Sequence, residues 1–208
     1  MRSTGRGHDE SGFTLLELII ALAIVGALLA VAFGGMRVAL AAWQRGEDRA
    51  EAHQHVRGVA QALARVVAGA FPYMASRAEA PDPVILFRGT ATRLEVVTQT
   101  PPGAFPVPIA FAAVAIEVAE GEPPGLIVRQ RAMPNRDPFT EGTVVVRDET
   151  IKTMTLSYLD DAGTWRDAWD GEPEKALPRA VRLTLAAEHG GRTETMPPMT
   201  ITLRVLTP

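Results

Sequence analysis

One carboxylate stands out by its surroundings. Glu17 is the last charged residue before Leu18–Met36, a stretch that carries no charge at all. A carboxylate held centrally in hydrocarbon costs about 2.5 kcal/mol or more on insertion scales. Near a helix end it can reach back to the interface and lower that cost. Such a group needs a cationic partner or a task. It lies in Gly12-Phe13-Thr14-Leu15-Leu16-Glu17, directly after a short polar segment. The other candidate chemistry is sparser. His53 and His55 are two apart, on different faces of a helix, a poor arrangement for one shared metal. Asp160, Asp161, Asp167 and Asp170 cluster in sequence but lack the alternating Asp spacing and terminal Glu of an EF-hand loop. They read as a solvated acidic turn, with calcium binding kept as the alternative. His8 falls in the polar N-terminal segment and His189 in a turn. There is no Gly-x-Ser-x-Gly, no phosphate-cradling loop and no helical His-Glu-x-x-His. The chain has no Cys, which excludes a disulfide framework, thiolate catalysis, Fe–S clusters and Cys-ligated zinc. The expectation is a protein that is not an enzyme and uses no cofactor, no metal and no small-molecule substrate.

The elements that position these groups follow from composition. At 208 residues, 47% hydrophobic and 22% charged, the chain has material for one domain and an appended segment. A net charge of -3 argues against a protein that wraps nucleic acid, which needs a basic face. Met1–Ser11 is polar, and Leu18–Met36 is long enough for a membrane-spanning helix. Arg37 and Trp43 sit where such a helix leaves the bilayer. Small residues Ala21, Ala23, Gly26, Ala27 and Ala30 permit close helix approach. A charged stretch, Arg45 to Glu51, follows. Val56, Val59, Leu63, Val66 and Val67 then recur at three- and four-residue spacing, predicting an amphipathic helix with one face on a globular body. Gly69 and Phe71-Pro72 mark its end, and Gly34, Gly35 and Gly46 are candidate bends.

The remainder reads as strands. Val84–Phe87, Leu94–Thr98, Ile109–Val118, Leu126–Val128, Thr143–Val146, Met154–Tyr158, Val181–Leu185 and Thr200–Val205 are β-rich, and several alternate. No helical pattern long enough for parallel crossovers lies between them, so pairing is antiparallel. Pro101-Pro102-Gly103, Pro123-Pro124-Gly125 and His189-Gly190-Gly191 are turns or loops by composition. The fold class expected is α+β: a long N-terminal helix, transmembrane in its first half, packed on antiparallel sheet.

Two stretches carry a family resemblance. The short polar leader ending in Gly12, then Phe13, an apolar run and Glu17 five residues in, resembles the class III signal of type IV pilins and type II secretion pseudopilins. Residues 154 to 185 combine a Tyr-containing strand, Gly163-x-Trp165, Trp169, then Leu177-Pro178 and an alternating strand. That segment is similar to the C-terminal signature of the J-type minor pseudopilin of type II secretion. The resemblance implies a pilin-like fold with residues 1–12 as a leader, 13–36 as the transmembrane helix, 37–71 as its periplasmic amphipathic continuation and 72–208 as the β-rich body. It implies cleavage by a prepilin peptidase between Gly12 and Phe13, N-methylation of Phe13, and pairing of Glu17 with a neighbouring subunit's amine during assembly. It also implies single-pass residence in a bacterial inner membrane, with the body in the periplasm. The implied partners are the H-, I- and K-type minor pseudopilins and the major pseudopilin, in a tip complex that primes the pseudopilus for protein export. Where family leaders carry a basic residue close to the cut, this chain has His8 to Ser11, so the positive-inside bias rests on Arg2, Arg6 and the amino terminus. Trp165 and Trp169 have two readings, a structural clamp over the sheet or a partner-facing pair. A minor pilin of a type IV pilus or competence system is an alternative. So is a periplasmic binding domain whose conventional signal peptide is cut after Ala32, at the small residues Ala30-Val31-Ala32.

Overall fold

A computed structural model of the chain describes residues 14–75, 84–119, 121 and 123–203. The chain divides into two units, Met1–Arg49 and Ala50–Pro208. Helix α1 spans Leu15–Ala68, and its two parts obey different rules. In the first unit every described side chain is exposed, with Leu22 at 71% and Leu28 at 65%. Leu15–Gln44 is long and apolar enough to cross a membrane. Aliphatic residues cover its whole circumference, so no rotation gives it a polar face for water. The helix continues through Gly34, Gly35 and Gly46 without interruption.

In the second unit the last turns of α1 become amphipathic. Ala52, Val56, Ala60, Leu63, Val66 and Val67 are buried, while Gln54, Arg57, Gln61 and Arg65 stay exposed. The strands they pack on are antiparallel throughout. β1 (Met74–Ala75) pairs β2 (Val84–Ile85). A six-stranded sheet is built from β3 (Phe87–Gly89), β4 (Arg93–Thr98), β5 (Ala112–Ala119), β6 (Gly125–Ala132), β7 (Thr143–Asp148) and β10 (Trp169–Asp170). Its order is β10-β3-β4-β5-β6-β7. The second sheet contains β8 (Ile151–Leu159), β9 (Trp165–Arg166), β11 (Ala180–His189), β12 (Arg192–Thr195) and β13 (Met199–Thr202). Its order is β12-β11-β8-β9, with β13 also on β11. A one-turn helix, α2, covers Gly171–Glu174.

Most of the predicted strands appear within a few residues of their expected limits, and the α+β, pilin-like class stands. The expected strand Val84–Phe87 is instead divided at Leu86 between β2 and β3, which belong to different sheets, and the end of the expected strand Thr200–Val205 lies outside the described residues. One apolar cluster joins the two sheets to α1: Val56, Leu63 and Val67 meet Leu94, Val114 and Ile116 from one sheet and Leu156, Leu183 and Leu185 from the other. Fully burying each aliphatic side chain stabilises by roughly 1.5–3 kcal/mol. The turn between β11 and β12 uses Gly190 and Gly191 at φ 57° and 74°, the positive values that a tight hairpin turn demands at both central positions. The end of α1 is fixed by side chains. The Thr98 hydroxyl donates to the Val66 carbonyl at 2.8 Å and the Thr100 hydroxyl to the Arg65 carbonyl at 2.7 Å. The first satisfies a carbonyl that the last turn leaves without an intrahelical donor and explains why Thr98 is fully buried; the second joins the Gly69 N–H, which already donates to the Arg65 carbonyl at 3.1 Å. Gly69 follows because a Cβ there would collide with both hydroxyls.

Candidate functional site

Gly12 and Phe13 lie outside the described residues. The description starts at Thr14, and there the local chemistry is explicit. The Thr14 backbone N–H and its hydroxyl each donate to Glu17 Oε2 at 3.0 Å, and the Glu17 N–H donates to Thr14 Oγ1 at 3.3 Å. This is a capping box: residues three apart exchange side-chain and backbone hydrogen bonds at the first turn of a helix. The Thr-x-x-Glu spacing at the head of an apolar run is the sequence signal of such a box. Glu17 therefore has a use inside its own subunit. Its carboxylate also lies at the N-terminal end of α1, the end that favours negative charge.

Trp165 and Trp169 are placed four apart on different sheets. Trp165 is in β9, paired to β8, whereas Trp169 is in β10, paired to β3. The chain from 165 to 170 thus crosses from one sheet to the other. Trp169 is 5% exposed, and its indole N–H donates to the Ala176 carbonyl at 2.9 Å. Trp165 is half-buried under the Arg182 guanidinium, 3.9 Å from the ring centroid. Arg166 lies 5.3 Å from the Trp169 ring and also pairs with Glu174 at 2.8 Å. Beneath this crossing, Tyr158 is buried and donates its hydroxyl to the Thr90 carbonyl at 2.9 Å. Burial raises the Tyr158 phenol well above its ordinary value. The Tyr158 ring occupies the space where a Cβ on Gly89 would stand.

The titratable groups are distributed rather than gathered. His53 Nε2 faces Glu194 of β12 at 3.4 Å and His55 Nε2 faces Asp148 of β7 at 2.7 Å. The two histidines therefore go to different sheets. Burial by itself raises the Asp148 pKa, but hydrogen bonds from the Thr150 hydroxyl and N–H, together with His55, outweigh it and hold the carboxyl below the ordinary aspartate value. In the acidic segment, Asp160 accepts from the Thr164 N–H at 2.8 Å and closes its own turn. Asp170 accepts from the Glu172 N–H at 3.0 Å and caps α2. Among the described residues no group of three or more His, Asp or Glu side chains is placed to hold a metal ion.

The geometry is that of an apolar, exposed helix joined in sequence to a β body with its own core, and sequence comparison agrees in both parts. The family model for the prokaryotic N-terminal methylation motif matches residues 7–33. The model for type II secretion system protein J matches residues 34–197. No curated protein is significantly similar to the chain. The family is a structural component of the pseudopilus, and membership implies contact with other pseudopilus components. The apolar helix Leu15–Gln44 fits single-pass anchoring in the inner membrane. With most of its length matched, the chain belongs to the protein J family of type II secretion systems and is a minor pseudopilin.

Proposed function

We propose that the chain is made as a precursor with residues 1–12 as leader, cut by a prepilin peptidase between Gly12 and Phe13 and methylated on the new Phe13 nitrogen. Residues 13–36 then anchor it in the inner membrane, 37–71 carry the helix into the periplasm, and 72–208 form the body there. It joins the H-, I- and K-type minor pseudopilins and the major pseudopilin in a tip complex that primes pseudopilus assembly. The chain performs no chemistry of its own. The observation that carries this is the succession of the two family matches along one chain, the methylation motif ending at residue 33 and protein J starting at 34.

Glu17 supplies the assembly step. In a lone subunit its carboxylate is occupied by Thr14. A neighbouring subunit's terminal ammonium offers a full positive charge instead, which adds Coulomb attraction between two unit charges to the hydrogen bond, an attraction that grows as the local dielectric falls. The exchange sets the axial register between adjacent helices. Trp165 and Trp169 hold the two sheets together and so present the body's surface to partners. The test is Glu17→Gln, nearly isosteric but uncharged, in cells lacking the unmodified chain. Export falls at least tenfold while cleavage after Gly12 and the unfolding curve of the body are unchanged. Unimpaired export contradicts the assembly role.

A further inference from the structure

The other sheet margins are short or occupied: β9, β10 and β13 have at most four residues, and β12 ends in charged and polar side chains. β7 differs. It is a six-residue margin of the large sheet, Thr143-Val144-Val145-Val146-Arg147-Asp148, hydrogen-bonded on one side to β6. On its other side its backbone groups have no partner among the described residues. Natural edges are usually blunted by Pro, Lys, a bulge, brevity or a covering element; β7 has neither Pro nor Lys, and carries a bulge where its register with β6 shifts between Val144 and Val146. Val144 is 42% exposed, and Thr143 and Arg147 are also exposed. A groove of about 750 Å³ adjoins it, walled by Val59, Leu63 and Val66 of α1, Leu126 of β6 and Val146 of β7. Charge separates the two faces. On β4 to β6, Arg93 pairs with Glu95 and Glu117, and Arg129 with Glu117. Arg147, next along the sheet, has no ion-pair partner among the described residues.

We infer that β7 is a docking edge for an extended strand of another pseudopilus component, one that alternates aliphatic and acidic residues. Main-chain hydrogen bonds to β7 supply affinity, the groove takes the aliphatic side chains, and Arg147 meets an acidic one on the opposite face. The inference rests on the pseudopilin assignment and adds the body surface and the chemistry of its partner. The test is amide hydrogen exchange of the full chain in detergent, alone and mixed with the four other pseudopilins of the same secretion system. Docking predicts at least tenfold slower exchange within Thr143–Asp148 in the mixture only. Val144→Lys and Arg147→Glu, both on exposed positions, abolish that protection while the core strands stay protected. A complex that forms with β7 unprotected overturns the docking edge and leaves the subunit assignment intact. Protection that appears in the chain alone and grows with its concentration assigns the edge to a second copy and also overturns it. Absence of any complex contradicts both.

Discussion

The two ends of α1 share one backbone and answer to different solvents. Up to Gln44 its described side chains are exposed, and apolar residues lie on every side. After Ala50 the apolar residues narrow to one face, and that face is buried against two sheets. The difference shows where each part finds its stability. Burial within the chain accounts for the second part, whereas the first needs hydrocarbon or neighbouring helices to cover it. Its one carboxylate, Glu17, is matched to a helix terminus rather than left bare.

The comparison breaks most visibly by separating the parts. A chain starting at Ala50 remains monomeric in aqueous buffer and unfolds cooperatively, while the full chain requires detergent. Sedimentation and urea titration check both halves of that statement, and an unfolded fragment contradicts it. Single substitutions sharpen the contrast. Leu185→Ala, at a fully buried position, destabilises the body by about 2–5 kcal/mol in urea titration. Leu22→Ala, the same change on the exposed part, leaves that curve where it was. Gly89→Ala forces the Tyr158 ring aside and costs about 1–3 kcal/mol by overpacking. Trp169→Phe keeps the ring in the core but removes the donor to Ala176, for a loss of about 1–2 kcal/mol. The smallest effect is one of pH. Because the folded state holds the Asp148 carboxyl below its ordinary value, its contribution is complete above that ordinary value, near 3.9. It is lost as pH falls through the lower folded-state value. Asp148→Asn therefore costs most near neutrality, and its stability difference from the unmodified chain shrinks in acid, as denaturation from pH 7 to 2 shows.

Much of this fold was legible because strong periodicities announced it. The charge-free Leu18–Met36 stretch, the Val56–Val67 face and the alternating strands each repeat a pattern over enough residues to define their own environment. The elements that escaped are too short for that: β1, β9 and β10 have two residues each, and α2 and β12 four. Their positions depend on long-range pairing, such as Trp169 opposite Gly89, which no local pattern encodes. The candidate site divides the same way. The Thr14–Glu17 spacing was readable as a capping box, since both partners lie within one turn. The contacts of His55 with Asp148 and of Thr98 with the end of α1 join residues far apart in sequence. The crossing of Trp165 and Trp169 between sheets likewise needed the topology, because four residues of sequence do not reveal which sheet each half joins.

The most direct test of the account is the intact mass and N-terminal peptide of the membrane-extracted protein, produced with and without a prepilin peptidase. The account predicts a chain beginning at Phe13 with one methyl group on its nitrogen, formed only when the peptidase is present. A chain beginning at Phe33, or an uncut chain indifferent to the peptidase, would contradict it.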